Sequence, residues 1–85
     1  MRNKLSGTGN SISRTEFPTV TTEYTGTDGY PRGFKVATTG KVKIKLPDDD
    51  TFIETYCVAG AYNNYEIAVI YGDGAVPITD IEVYF

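Results

Sequence analysis

From Lys41 to Tyr71 the chain alternates apolar and polar side chains with a period near two, and this limits what it can fold into. The stretch opens with KVKIKLP, turns at DDD, returns through TFIETYCV and leaves a Gly60 turn into YEIAVIY. Val42, Ile44 and Leu46 point one way, and Lys41, Lys43 and Lys45 the other. An amphipathic helix would need apolar residues three and four apart, so the pattern predicts strands with one buried face. A two- or four-residue loop at Asp48–Asp50 preserves side-chain parity. Ile53, Thr55 and Cys57 are then expected on the buried face with Val42, Ile44 and Leu46. Phe52, Glu54 and Tyr56 join the lysine face, which sets Glu54 opposite Lys43 or Lys45.

The rest of the chain reads the same way. FPTVTTEYT is rich in β-formers, with Val20, Thr22 and Tyr24 on one face and Pro18 at its start or on an edge. Gly26 to Gly33 is a loop, and Tyr30 within it either stands out as a contact or folds back over the core. Phe34 to Ala37 is a short strand, and Thr38-Thr39-Gly40 turns into the central hairpin. In the next strand Tyr65, Ile67, Val69 and Tyr71 are expected on one face, against Glu66, Ala68 and Ile70. Ala68 and Ile70 are apolar too, so this strand should be central and covered on both sides. Gly72-Asp73-Gly74 is a tight turn, Pro77 marks a bulge or an edge, and Ile81, Val83 and Phe85 alternate inward in a closing strand whose last residue packs.

The spacing therefore predicts an all-β fold, a small antiparallel β-sandwich or barrel of six or seven strands. Residues 1–16 have Leu5 and Ile12 as their only aliphatic side chains. Such a stretch cannot offset its own ordering entropy, so it is expected to be an extended polar and basic arm, ordered when a partner receives it. The β-domain is expected over residues 17–85.

At 85 residues the chain makes one small domain with a thin stability margin. A single cysteine, Cys57, excludes an intrachain disulfide, and with no histidine the usual zinc ligands are missing. Partner subunits are the remaining way to gain margin. No apolar run is long enough to span a membrane, and the N-terminus lacks the apolar core of a signal peptide, so a cytoplasmic start is expected. Charge is divided: all eight Lys and Arg fall before Leu46 with Glu16, Glu23 and Asp28, so residues 1–46 carry eight minus three, +5, and residues 47–85 carry −8. Such asymmetry marks an interaction surface, or else basic strands paired with acidic ones in one sheet.

No catalytic constellation is visible. Every serine lies in the arm, and Cys57, with no imidazole to activate it, reads as a small core residue. Asp48-Asp49-Asp50 lacks the alternate spacing and the glycine of a calcium loop, and aspartate is an ordinary turn residue, so no metal and no cofactor are expected. Arg2, Lys4 and Arg14, with the lysine row beside Phe52 and Tyr56, would suit single-stranded nucleic acid, but the chain is acidic overall and carries no nucleic-acid motif. Seven tyrosines and four phenylalanines exceed what so small a core can hide, which favours an interaction module. The candidate partner-binding residues are Arg2, Lys4, Leu5, Ile12, Arg14, Tyr30 and Arg32 in the arm and loop, with Lys41, Lys43, Lys45 and Tyr56 on the sheet face.

The stretch from Gly33 to Phe85 resembles a group of small virion proteins of tailed bacteriophages. The likeness lies in GFKVATTGKVKIKL, the DDD turn, VAGAY, EIAVIY and the ending GDGAVPITDIEVYF. Members often close on a strand with a glycine ahead of Thr-Asp-Ile, matched here by Gly74, Thr79, Asp80 and Ile81. The chain departs from the group in its acidic turn, where Asp-Gly is usual, and in its basic arm, which does not align. The resemblance implies a non-enzymatic virion component, first of all a capsid decoration (cement) protein that bridges major capsid subunits. Such proteins are trimers at local threefold positions or bind singly over capsomer junctions. A tail or head-fibre base component is the alternative within the class, and a small β-barrel that binds single-stranded nucleic acid is the alternative outside it.

Overall fold

The computed structural model describes residues 12–27 and 29–85. Seven strands follow in chain order among them: β1 (Thr15–Glu16), β2 (Thr22–Glu23), β3 (Gly33–Val36), β4 (Gly40–Lys45), β5 (Ile53–Cys57), β6 (Val69–Ile70) and β7 (Ile81–Tyr84). They form two antiparallel sheets, one of three strands in the order β1-β7-β3 and one of four in the order β2-β6-β4-β5. Phe34, Val36, Ile81 and Val83 from the first sheet meet Val42, Ile44, Cys57 and Ile70 from the second in one core. The fold is a small β-sandwich.

The alternating hairpin folds as its pattern requires. Val42 pairs with Thr55 and Ile44 with Ile53 on the inner face, while Lys43 faces Glu54 and Lys41 faces Tyr56 on the outer. Leu46 and Asp49 close the turn through an N–H to C=O bond of 3.2 Å. Pro47 takes the second position of that turn and Asp48 the third, with a φ of 69°, the left-handed region that a type II turn demands there. Aspartate tolerates that conformation better than most residues, so the acidic run has a turn's geometry to account for it.

Ala37, Thr38 and Thr39 carry the chain from β3 in one sheet to β4 in the other. Asp80 anchors this corner: its backbone C=O accepts from Ala37 N–H (2.8 Å), and its carboxylate accepts from Thr38 Oγ1 (2.6 Å). Asp80 ends a 3-10 turn, Ile78–Asp80, that starts after Pro77, so the proline leads into a helical turn rather than a strand bulge or edge. β7 then runs as the middle strand of its sheet, and Phe85 beyond it is buried, as the alternation required.

Three further expectations need correction. The segment FPTVTTEYT does not make one strand. Phe17 and Val20 are 62% and 67% exposed, and only Thr22–Glu23 pairs, against β6. Facing in the strand around β6 also breaks step. Ala68 N–H donates to Lys45 C=O (2.8 Å), although Val69 is the register partner of Lys45. Two residues thus oppose one, a β-bulge, and it brings both Ile67 and Ile70 into the core. The inference that this strand is central and covered on both sides holds, since Ala68, Val69 and Ile70 are all buried between β2 and β4. Finally, the sheet begins before Phe17. Thr15 and Glu16 pair with Tyr84 and Val83, and Ser13 N–H donates to Phe85 C=O at 2.9 Å.

Tyr24 packs edge-on against Phe85 (centroids 5.6 Å, 74°), and its buried hydroxyl has no hydrogen-bond partner among the described residues. Burial first, and the Glu16 carboxylate second, push its pKa up to about 12. Tyr24→Phe should therefore raise stability by about 1 kcal/mol at neutral pH, because it removes an unsatisfied buried group. The folded-state pKa lies above the unfolded one near 10, so the phenol's stabilising share is complete below that pH and lost as pH rises towards about 12. Urea midpoints should show the variant's advantage widening at a pH of about 11.

Candidate interaction surface

The outer face of the four-stranded sheet is built by strand alternation alone. Since Val42 and Ile44 are buried in the core, Lys41, Lys43 and Lys45 face out from β4, and Tyr56 and Glu54 face out beside them, while Val69, the partner of Lys45, is on the same side but covered. Tyr71 joins this face, its N–H donating to Lys43 C=O at 3.0 Å. Lys43 is the centre of the arrangement. Its ammonium pairs with the Asp73 carboxylate at 3.2 Å and lies 4.1 Å from the Phe52 ring centroid and 5.2 Å from that of Tyr71. The two rings meet edge-on at 5.8 Å. A half-buried cation between two ring faces gains from both quadrupoles, which pins Phe52 in place while leaving much of its surface in water.

The apolar part of the face lies along β5 and its ends. Phe52 is 47% exposed, Tyr56 66% and Val58 53%. Phe17, Val20 and Tyr62 are exposed elsewhere, but Phe52, Tyr56 and Val58 stand open together along one strand and its ends, beside the lysine row, and so present a contact surface. Of the sheet-face residues named from the sequence, Lys41, Lys43, Lys45 and Tyr56 are thus brought together. Phe52, Tyr71 and Asp73 belong with them.

The arm and loop residues stand apart, around the three-stranded sheet. Arg14 lies over the Phe85 ring, Cζ 3.8 Å from the centroid, and pairs with Glu16 at 3.3 Å. Arg32 donates to Phe85 C=O at 3.4 Å. These two guanidiniums therefore fasten the end of β7 within the domain. Ile12 is exposed and lines a shallow hollow with Arg32, Tyr62 and Asn64. Tyr30 is half-buried with its ring against Gly26. Arg2, Lys4 and Leu5 lie outside the described residues.

The divided charge is accounted for in part by pairing within the sheets: Lys35 faces Glu82 across β3 and β7, and Lys43 faces Glu54 across β4 and β5. Cys57 is fully buried, and burial pushes its thiol pKa up, so the sulfur stays protonated and donates weakly to Thr55 C=O at 3.5 Å. Tyr84 is also pushed up, to about 12, by burial and by donating to the Glu82 carboxylate at 2.7 Å.

No family model, curated protein or solved structure matches this chain.

Proposed function

We propose that this chain is a non-enzymatic structural module that acts by docking its β5-side face, and the N-terminal segment, onto larger protein partners. The observation that carries this reading is the open aromatic and aliphatic surface of Phe52, Tyr56 and Val58, set beside the lysine row on one sheet face. The resemblance of residues 33–85 to small tailed-phage virion proteins gives the specific form: a capsid decoration protein that bridges neighbouring major capsid subunits. A tail or head-fibre base component is the variant of the same reading. Two weak contacts on one chain, one from the sheet face and one from the arm, would hold adjacent subunits more tightly than either alone. Binding only to the assembled shell would stabilise it by mass action.

The nucleic-acid alternative is less favoured. Lys43, the middle of the lysine row, is neutralised by Asp73 and opposed by Glu54. It predicts affinity for single strands that falls steeply with salt and weakens on Lys43→Glu.

The test is co-sedimentation of the purified chain with shells of the cognate major capsid protein. Saturable binding is expected. Removing residues 1–11, which spares the Ser13 and Arg14 contacts to Phe85, should leave a folded domain whose affinity for the shell falls roughly tenfold or more. Absence of co-sedimentation by the intact chain, with salt-sensitive binding to an oligonucleotide instead, would replace the reading. Unchanged affinity of the truncated chain would remove the arm from it.

A further inference from the structure

The four sheet edges are not alike. β1 and β2 offer two residues each, and β3 is closed by Asn63, which exchanges backbone bonds with Phe34 at 3.0 and 2.8 Å. β5 is an edge of five residues, and among the described residues nothing pairs along its outer side. It also lacks the usual protection of an exposed edge, since Glu54 is its one charge and it has no proline.

We infer that β5 pairs with β5 of a second copy, antiparallel about a two-fold axis at Thr55, to make one continuous eight-stranded sheet. This goes beyond the docking reading: the pairing occupies the edge of β5 and leaves the outer face of the sheet to a larger partner.

The backbone permits this register. Lys43 C=O accepts from Tyr71 N–H and Lys41 C=O from Val76 N–H, so the odd-numbered residues of β4 direct their polar groups away from β5. By alternation, Val42 and Ile44 direct theirs toward Thr55 and Ile53. Glu54 and Tyr56 therefore aim their N–H and C=O groups outward, with no partner among the described residues. A two-fold axis at Thr55 brings Glu54 of each copy opposite Tyr56 of the other, so that these outward groups bond one another.

The side chains also fit. On the outer face Glu54 meets tyrosine rather than a second glutamate, and Phe52 meets Val58. On the inner face Thr55 meets Thr55, a favourable cross-strand pair, and Ile53 meets Cys57. No like charges are opposed. Ile53 is 36% exposed although its β4 neighbour Ile44 is completely buried, so the edge leaves an inward-facing isoleucine partly open for the second copy to cover. Symmetric pairing of one strand with itself closes at two copies, whereas assembly by threefold contact would give trimers.

The experiment is sedimentation equilibrium of the full chain over a concentration series, with three variants at exposed positions. The expected wild-type mass rises to twice 9.3 kDa. Tyr56→Glu sets a carboxylate opposite Glu54 of the other copy twice over, and it gains Lys41 as a cross-strand partner within its own sheet. It should weaken the dimer roughly tenfold or more. Tyr56→Lys sets opposite charges across the axis and should keep the dimer. The double variant Glu54→Lys/Tyr56→Glu should regain it. Circular dichroism checks that each variant is folded.

A wild type that stays monomeric at a few hundred micromolar, a trimer, or equal loss in Tyr56→Glu and Tyr56→Lys would each overturn the self-pairing. Shell binding by a chain that is monomeric alone would leave the docking reading standing. Loss of shell binding together with an intact dimer would overturn that reading and keep the self-pairing.

Discussion

Phe34→Ala is expected to lose about 3–5 kcal/mol of stability, the range for emptying a fully buried aromatic site. An 85-residue domain has only ~4–13 kcal/mol in all, so this one change removes a large part of the margin. Phe34 is completely buried, stands opposite Val83 in the three-stranded sheet, and stacks on Tyr65 with centroids 6.3 Å apart. Its backbone also holds Asn63 on the far side, so the cavity opens where both sheets and the 59–65 segment meet. Neighbours fixed by backbone bonds on two sides cannot collapse into it, which places the effect high in the range. The urea midpoint should fall by roughly 1.5 M or more. Phe52→Ala is the control: that ring is about half exposed on the outer face, and its loss should shift the midpoint by a fraction of that amount. Equal shifts for the two phenylalanines would mean that the inside and outside of this sandwich are wrongly assigned.

That assignment was legible from the sequence where a strand alternates strictly and its turn is local. Lys41 to Cys57 meets both conditions: parity alone sets Glu54 on the lysine face opposite Lys43 or Lys45, and the register selects Lys43. Where order depends on distant residues, the local pattern misleads. Thr15 and Glu16 carry no apolar signal and read as arm, yet they are held by β7, almost seventy residues along the chain. FPTVTTEYT has the composition of a strand, but its bend at residues 17–21 is set by Pro18, which is buried, and by Thr21, whose Oγ1 accepts from Gly72 N–H at 2.8 Å. The bulge at Ala68 and Val69 shifts the facing of β6 by one residue. A run as uniformly apolar as IAVI hides such a shift, because either face accepts it.

The same holds for the contact surface. Lys41, Lys43, Lys45 and Tyr56 were readable as one face, since two adjacent strands generate it. Tyr71 and Asp73 were not, because their place beside Lys43 depends on which strand lies on the other side of β4. Asp-Gly after an apolar strand ending in tyrosine is an ordinary turn signal, and only the sheet order turns it into the lysine's counter-charge.

Gly33→Val is expected to lower the melting temperature by about 10–20 °C, the equivalent of ~2–3 kcal/mol for a domain of this size. A Cβ at Gly33 would run into the Tyr62 hydroxyl and stand 2.8 Å from the Asn63 carbonyl oxygen. Tyr62 is nearly half exposed and its ring can swing away, at the loss of its contacts with Tyr84 and Arg32 C=O. Asn63 cannot yield as cheaply. Its backbone makes both bonds to Phe34, and its side-chain amide donates to Phe34 C=O at 3.3 Å and to Ala61 C=O at 3.1 Å. Adding Tyr62→Ala should therefore recover only part of the loss, whereas full recovery would assign the whole effect to the ring. A second consequence follows from topology. Asn63 closes the β3 edge, and displacing it exposes a second unpaired strand edge in addition to β5. Association through two open edges no longer closes at a dimer, so the variant should form high-mass species that light scattering resolves from the wild type. A variant that melts within about 3 °C of the wild type and scatters alike would show that Asn63 is not what closes this edge.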